Sequence, residues 1–188
     1  MAETAAATGK ATYKDLLAVP ENLVAEIIFG VLETHPRPAP KHTLVSSVIG
    51  NKLGPPFHHG DNGPGGWWSL DEPELHLGEH VLVPDLAGWR RERMPELPET
   101  AWFELAPDWV CEVISPSTAR LDRGPKREIY CQFKIPYLWH VDPDPRTLEA
   151  FELHDGQWLL IASLSGDEEI AVAPFAAAPF GLGALWAD

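Results

Sequence analysis

The chain has 188 residues, the length of one ordinary domain, and at that size a compact fold buries about two thirds of its unfolded surface without cross-links. Its 28 acidic and 14 basic side chains give a formal net charge of −14, which argues against a tight nonspecific binder of nucleic acid. An enzyme that acts on nucleic acid is not excluded, because a divalent cation or a local basic strip would reverse the field at a cleft.

The cysteines and the amino terminus indicate the compartment. Cys111 and Cys131 lie in apolar segments without CxxC spacing, so we interpret them as small core residues of a cytoplasmic protein, although the sequence leaves a bridge between them open. No run reaches membrane-spanning length, so no membrane partner is expected. Residues 1–11 lack a basic start and an apolar run, and we predict a flexible terminus before a single domain over residues 12–188.

The first third of the chain predicts a short helix, a hairpin, an amphipathic helix and a mobile surface loop. These elements cover residues 12–18, 23–34, 41–53 and 57–66. Thr12 followed by Asp15 resembles a capping box, and Phe29-Gly30 separates two β-branched runs as in a tight hairpin or a bent strand. Gly54-Pro55-Pro56 should end the amphipathic helix.

The rest of the chain predicts mainly strands. They cover residues 67–70, 74–77, 81–89, 109–114, 135–141, 148–153 and 157–164. Residues 125–133 predict a helix with Pro125 in its first turn, and Asp155-Gly156 is the strongest hairpin signal. This order predicts a single domain with a mixed β-sheet flanked by helices, in the α/β class at its border with α+β.

Two carboxylates interrupt the most apolar strands. By strand alternation, Asp85 shares a face with Val83 and Ala87, and Glu112 lies in a run that reads as buried on both faces. An isolated carboxylate there is costly, so each must be protonated, paired with a cation or bound to metal. If the strands are neighbours, the two acids form an oxygen site that suits Mg²⁺ or Mn²⁺.

Lys126 places a cation near this pair. It lies close to the start of the predicted helix over residues 125–133, with Tyr130 one turn later on the same face, so its amine could reach back over the strand end. Beside a bound metal, a lysine could orient or help to deprotonate an attacking water. It could also neutralise charge that develops on a phosphorane-like transition state.

Several short motifs follow one another in order along the chain. They are residues 26–32 with His42, Val83-Pro84-Asp85, Glu112-Val113-Ile114-Ser115-Pro116-Ser117-Thr118, Asp122 with Lys126 and Tyr130, and Trp139-His140-Val141-Asp142-Pro143. Over roughly residues 12–165 they resemble a large bacterial family of restriction-endonuclease-like proteins. This is the domain-of-unknown-function 820 type of the PD-(D/E)XK nuclease superfamily.

The resemblance implies a restriction-endonuclease-like fold and a Mg²⁺- or Mn²⁺-dependent endonuclease that hydrolyses phosphodiester bonds in nucleic acid, with DNA as the expected substrate. It implies that Asp85 and Glu112 are catalytic metal ligands, that the Val113 carbonyl is a further ligand, and that Lys126 is the catalytic lysine. The superfamily usually has lysine two positions after the acid, where this chain has Ile114. Activity therefore depends on Lys126 filling that place, and a homodimer would suit paired cuts on two strands.

Three further polar residues have both a structural and a functional interpretation. Glu26 is either a strand-edge acid or an accessory carboxylate behind the metal ligands. His42 is either a helix-surface residue or a contact for a phosphate at the cleft rim. Asp122 is expected to cap the following helix rather than to bind metal.

Two other classes of function remain open. A non-catalytic binding or regulatory module on the nuclease scaffold would agree with the acidic charge and with the unusual position of the lysine. A cupin-like β-barrel metal enzyme would account for the many strands, tryptophans and histidines. Helices over residues 41–53 and 125–133 would rule out the barrel.

Overall fold

The computed structural model describes residues 9–186, so most of the predicted flexible terminus lies outside the described residues. The helices are α1 (Tyr13–Leu17), α2 (Pro40–Leu53, continued by a wide turn over Gly54–His59), α3 (the consecutive segments Ala119–Leu121, Asp122–Lys126 and Arg127–Gln132) and a short turn at Leu182–Leu185. The strands are β1 (Leu23–Ile28), β2 (Val31–Pro36), β3 (Trp67–Asp71), β4 (Leu75–Leu77), β5 (His80–Leu82), β6 (Leu86–Arg90), β7 (Trp109–Val113), β8 (Tyr137–Asp142), β9 (Thr147–His154), β10 (Gln157–Ser165), β11 (Glu169–Ile170) and β12 (Phe180–Gly181).

The local sequence signals form the predicted elements. Thr12 caps α1 through the predicted box, in which the Asp15 carboxylate accepts the Thr12 N–H at 2.8 Å. At the β1–β2 turn, Phe29 and Gly30 have φ values of 50° and 76°, a left-handed pair that a tight hairpin requires. Asp155-Gly156 makes the same kind of turn between β9 and β10. The predicted capping box and both hairpins are confirmed.

The strands form two main sheets. One has the order β2-β1-β5-β4, and the other has the order β10-β9-β8-β7-β6-β3. In the second sheet β7 and β8 are parallel and the other neighbours are antiparallel. Helix α2 packs on the sheet face that carries Cys111, and α3 packs on the opposite face. The α/β class is confirmed, and an open sheet with a helix on each face is not a cupin-like barrel.

The predicted continuous strand over residues 81–89 is wrong. Residues 83–85 leave the strand conformation, so that β5 ends in one sheet and β6 begins in the other. Pro84 has no N–H for a ladder hydrogen bond, which favours a break at this point. Asp85 therefore lies in a connector between the two sheets and not on a strand face with Val83 and Ala87.

Two helices continue past prolines that the sequence predicts to lie at a helix boundary. Helix α3 begins at Ala119, so Pro125 lies within it rather than in its first turn. The run of α2 does not end at residues 54–56, because a further wide turn buries Phe57 in the core. The predicted mobile loop is therefore wrong for residues 57–59. Wide turns of this kind interrupt the regular hydrogen-bond ladder and so accommodate a proline.

The structure also shows the state of the two cysteines and the character of the helices. Cys111 is buried, Cys131 is partly buried, and both are free thiols, so the bridge that the sequence left open is not formed. Within residues 9–186, no helix combines the length and the apolar character that are needed to cross a bilayer.

Candidate active site

A cleft of about 310 Å³ opens where the two sheets meet. One wall is the loop over residues 35–39 that leads into α2, and the other is the loop over residues 115–118 that leads into α3. The polar side chains at its base include Asp85, Glu112, Lys126, His42 and Asp122. The structure thus brings both predicted acids and the predicted lysine into one cleft.

Asp85 is held from two directions. Its Oδ2 accepts the backbone N–H of Val113 at 2.7 Å, and its Oδ1 lies 3.3 Å from Nε2 of His42. The side chain is 15% exposed, so it remains accessible from the cleft. The connector between the sheets is therefore fixed to β7 and α2 by the same carboxylate that faces the cleft.

Glu112 lies on β7 and is almost fully buried, with a side-chain exposure of 2%. Its Oε1 accepts the hydroxyl of Tyr130 at 2.5 Å and lies 2.9 Å from Nζ of Lys126. Burial raises the pKa of Glu112 well above its usual range, and the nearby charge of Lys126 opposes this effect. Glu112 therefore needs an adjacent cation in order to be ionised.

Lys126 supplies that cation from α3. Besides Glu112, its ammonium lies 3.2 Å from Oε1 of Glu26 and 3.3 Å from Oδ1 of Asp122. Burial alone would lower the pKa of Lys126, but the surrounding acids, with Glu112 first, raise it well above its ordinary value. The side chain is consequently a fixed positive charge beside Glu112.

Glu26 and Asp122 are buried partners of the lysine. Glu26 lies on β1 and also accepts the Val83 N–H at 2.8 Å, so it is not a strand-edge acid. Burial raises the pKa of Glu26, but Lys126 and a hydrogen bond from His35 outweigh this effect and hold the pKa below its ordinary value. The predicted capping role of Asp122 is wrong, because it lies inside α3 one turn before Lys126. That i, i+4 spacing was a signal for the pair.

Two histidines, His35 and His42, contact acids of the cleft region. The sequence alone predicts no role for His35. Its Nε2 lies 3.6 Å from Oε2 of Glu26. The signal for this contact was the hairpin register, in which His35 pairs with Val24 and so lies diagonally across from Glu26. His42 is not a helix-surface residue, because it is buried on α2 against Asp85. Burial lowers the pKa of His42, but Asp85 and the Val113 backbone outweigh it and raise the pKa above its ordinary value.

The donor atoms suit a hard cation that retains other ligands. Among residues 9–186, no group of three His, Cys, Asp or Glu side chains is arranged to hold a metal ion. Asp85 and Glu112 both line the cleft and offer carboxylate oxygens, whereas Val113, the third predicted ligand, is buried on β7 and does not line the cleft. Mg²⁺ is usually bound by one or two carboxylates, with waters and substrate phosphates as the remaining ligands. The residues fit that type of site.

Comparisons with known proteins agree with this fold. The crystal structure of a "putative nuclease" of domain-of-unknown-function family 820 from Anabaena variabilis superposes with a TM-score of 0.72 and 22% identity, covering 93% of this chain and 97% of that one. No curated protein sequence matches the chain. The model of the Uma2 family, described as "Putative restriction endonuclease", matches residues 11–182. Because this match spans most of the sequence, the chain belongs to the Uma2 family.

Proposed function

We propose that the protein is a metal-dependent endonuclease-like hydrolase that cleaves phosphodiester bonds in nucleic acid. The observation that carries the proposal is the convergence of Asp85, Glu112 and Lys126 in one cleft, each from a different element. Clusters of buried ionisable groups in a cleft are typical of functional sites. Membership of a family of restriction-endonuclease-like proteins supports nucleic acid as the substrate.

Asp85, Glu112 and the Val113 carbonyl would hold Mg²⁺ or Mn²⁺, in keeping with their all-oxygen donor set. When bound, such an ion polarises the phosphate and offsets the negative charge that develops on it. Asp85 is oriented for this task, because its two oxygens are fixed by the Val113 N–H and by His42. Outer hydrogen bonds of this kind hold a ligand in position, which gives His42 an accessory role.

Lys126 acts through its charge and not as a base. Its raised pKa keeps the ammonium protonated at neutral pH, so it cannot take a proton from water. It can stabilise negative charge at the reacting phosphate, and it favours the ionised form of Glu112 against the effect of burial. Glu26 and Asp122 hold the ammonium beside Glu112, and Tyr130 orients the Glu112 carboxylate. This arrangement would serve in place of the superfamily lysine that Ile114 replaces.

The test is nicking of DNA with Mn²⁺ or Mg²⁺ by the wild type and by Asp85→Asn. Asparagine keeps an oxygen for the Val113 N–H but loses the charge, and we expect at least about a 100-fold loss of rate, the order found on removing one charge-stabilising group. Asp61→Asn, an exposed acid outside the cleft, is the matched control and should keep full activity. Equal rates for Asp85→Asn and the wild type would refute the assignment.

A non-catalytic module is the second candidate. It is favoured by the fact that Oε1 of Glu112 already pairs with Lys126, and by the lack of a three-ligand cluster among the described residues. Calorimetric titration separates the two functions. Binding of Mg²⁺ or Mn²⁺ that is lost in Asp85→Asn supports the hydrolase, and no binding to the wild type supports the module.

A further inference from the structure

A second groove adjoins the cleft on the side of α1. It has a volume of about 450 Å³ and lies between α1 and β1. Val24, Arg37, Glu72 and Val83 line both the groove and the cleft. A ligand that enters the cleft can therefore continue into the groove along one surface.

The groove combines apolar and acidic side chains. Its lining includes the apolar side chains of Leu16, Leu17 and Val19 and the carboxylates of Glu21, Glu72 and Glu74. Carboxylates repel phosphate but accept hydrogen bonds from the amino groups of bases. Apolar walls pack against the faces of bases that are not stacked in a duplex.

Arg37 lies at the junction between the groove and the cleft. It is exposed and donates to the Glu21 carbonyl at 2.9 Å, but within residues 9–186 it forms no ion pair with a carboxylate. Lys41, which is also exposed, pairs instead with Asp144 at 2.7 Å. In a chain with a net charge of −14, Arg37 therefore offers an unneutralised guanidinium at the point where a phosphate would pass.

Asp85 and Glu112 lie deep in the cleft, and this depth restricts which form of nucleic acid can reach them. Asp85 is only 15% exposed and Glu112 only 2%, and Pro36, Pro38 and Pro116 stiffen the loops around them. Duplex DNA is stiff, with a persistence length of about 50 nm, so a flexible single strand reaches such a recess at a lower cost in deformation. Single strands and extruded nucleotides are the forms that enter the deep pockets of enzymes that act on bases.

We propose that the substrate is single-stranded nucleic acid, with an unpaired base in the groove and the adjacent phosphate on Arg37. The cleavage step rests on the proposed function, but binding in this mode does not require it. The inference concerns which strand form enters the cleft, and it assigns Arg37 and Leu17 to substrate recognition.

Fluorescence anisotropy of the full chain tests the inference, with an end-labelled single-stranded DNA oligonucleotide and the same sequence as a duplex, both in EDTA. We expect the single strand to bind about tenfold more tightly, and Arg37→Ala to weaken it about tenfold, as for loss of one charge-assisted contact. The slope of log Kd against log salt should fall by about 0.7 in that variant. Lys52→Ala removes an exposed cation that lines neither the cleft nor the groove and should change neither value.

Leu17→Ser tests the groove separately, because Leu17 is 66% exposed and its replacement leaves the core intact. We expect weaker binding of the single strand, whereas Leu97→Ser, an exposed leucine elsewhere, should bind like the wild type. Equal or tighter binding of the duplex, or unchanged affinity in Arg37→Ala or Leu17→Ser, would overturn the inference. If the single-strand preference holds but Mn²⁺ supports no cleavage of either form, the proposed hydrolase fails and the binding mode stands.

Discussion

Lys126 is surrounded by the acids Glu26, Glu112 and Asp122 at distances of 2.9–3.3 Å. Buried ion pairs offset their desolvation only when hydrogen bonds complete the network. Here the Tyr130 hydroxyl donates to Glu112, and the Val83 N–H donates to Glu26. The cluster is therefore a framework that fixes the position of one positive charge.

Lys126→Met should destabilise the protein strongly. It leaves buried carboxylates without the ammonium, and breaking a buried pair in this way typically costs about 3–5 kcal/mol. The free energy of unfolding in urea measures the loss, and Lys52→Met, at an exposed position, should be close to wild type. An unfolding free energy for Lys126→Met equal to that of the wild type would show that the cluster is not coupled to folding.

His140 carries a pH dependence of stability. It pairs with Glu112 in the β7–β8 register and is 1% exposed, and burial, with nearby Arg123 and Arg127, lowers its pKa to about 3. The unfolded chain has the ordinary histidine pKa of about 6.5, so between these values it binds a proton that the folded state does not. Stability contributed by His140 is therefore complete above pH 6.5 and is lost as the pH falls toward 3.

Urea unfolding at several pH values between about 6.5 and about 5 tests this linkage. In His140→Phe the decline of stability with falling pH should be shallower than in the wild type, by about 0.7 kcal/mol per unit near pH 6.5 and by about 1.4 kcal/mol per unit near pH 5. His59→Phe, at an exposed histidine, should keep the slope of the wild type. Parallel curves for the wild type and His140→Phe would contradict the assignment.

At the scale of elements, the wide turn over Asp122–Lys126 decides what α3 contributes to the site. It continues the helix that begins at Ala119, so that Asp122 lies one turn before Lys126, with Pro125 between them. Capping and hairpin signals are local and were readable from adjacent residues, as at Thr12 and at Asp155-Gly156. The start of α3 could not be predicted from the sequence, because a proline ordinarily marks a helix start or end. In α3 the packing around Pro125 outweighs that local preference.

Gly156→Ala should destabilise the β9–β10 hairpin without affecting the cleft. Gly156 has φ 75°, where a side chain costs about 1 kcal/mol, although a Cβ there would meet no other atom. Gly54→Ala is the matched control, because its Cβ would also meet nothing and its φ of −55° suits alanine. Thermal unfolding should separate the two variants, and equal melting temperatures would contradict the argument.

At the scale of the whole molecule, the connector over residues 83–85 joins the two sheets at the cleft. The adjacency of the segments that carry Asp85 and Glu112 could be proposed from the sequence only as a condition of a shared site, and the pairing of β6 with β7 meets that condition. The contact of Glu26 with Lys126 could not, because β1 belongs to the other sheet and no sequence spacing relates the two residues. Long-range pairing of this kind depends on how the sheets meet.

Hydrogen exchange tests whether Glu26 secures the connector over residues 83–85. The Val83 amide donates to a side chain rather than to a strand neighbour, and Glu26→Ala should expose it to faster exchange. The Val113 amide, which donates to Asp85, is the internal control and should remain protected in that variant. Exchange at Val83 that is unchanged in Glu26→Ala would show that Glu26 does not secure the connector.

Asp85 and Glu26 hold the connector between the two sheets, and the proposed chemistry uses the same two acids. This double use affects how related sequences should be interpreted. Selection for stability alone would preserve Asp85 and Glu26 in a relative that no longer turns over any substrate. Arg37 does not hold the connector and is exposed, so a descendant that no longer bound the proposed strand would be free to lose it. Under the proposed binding mode, its retention or loss among relatives would therefore indicate strand binding better than the acids do.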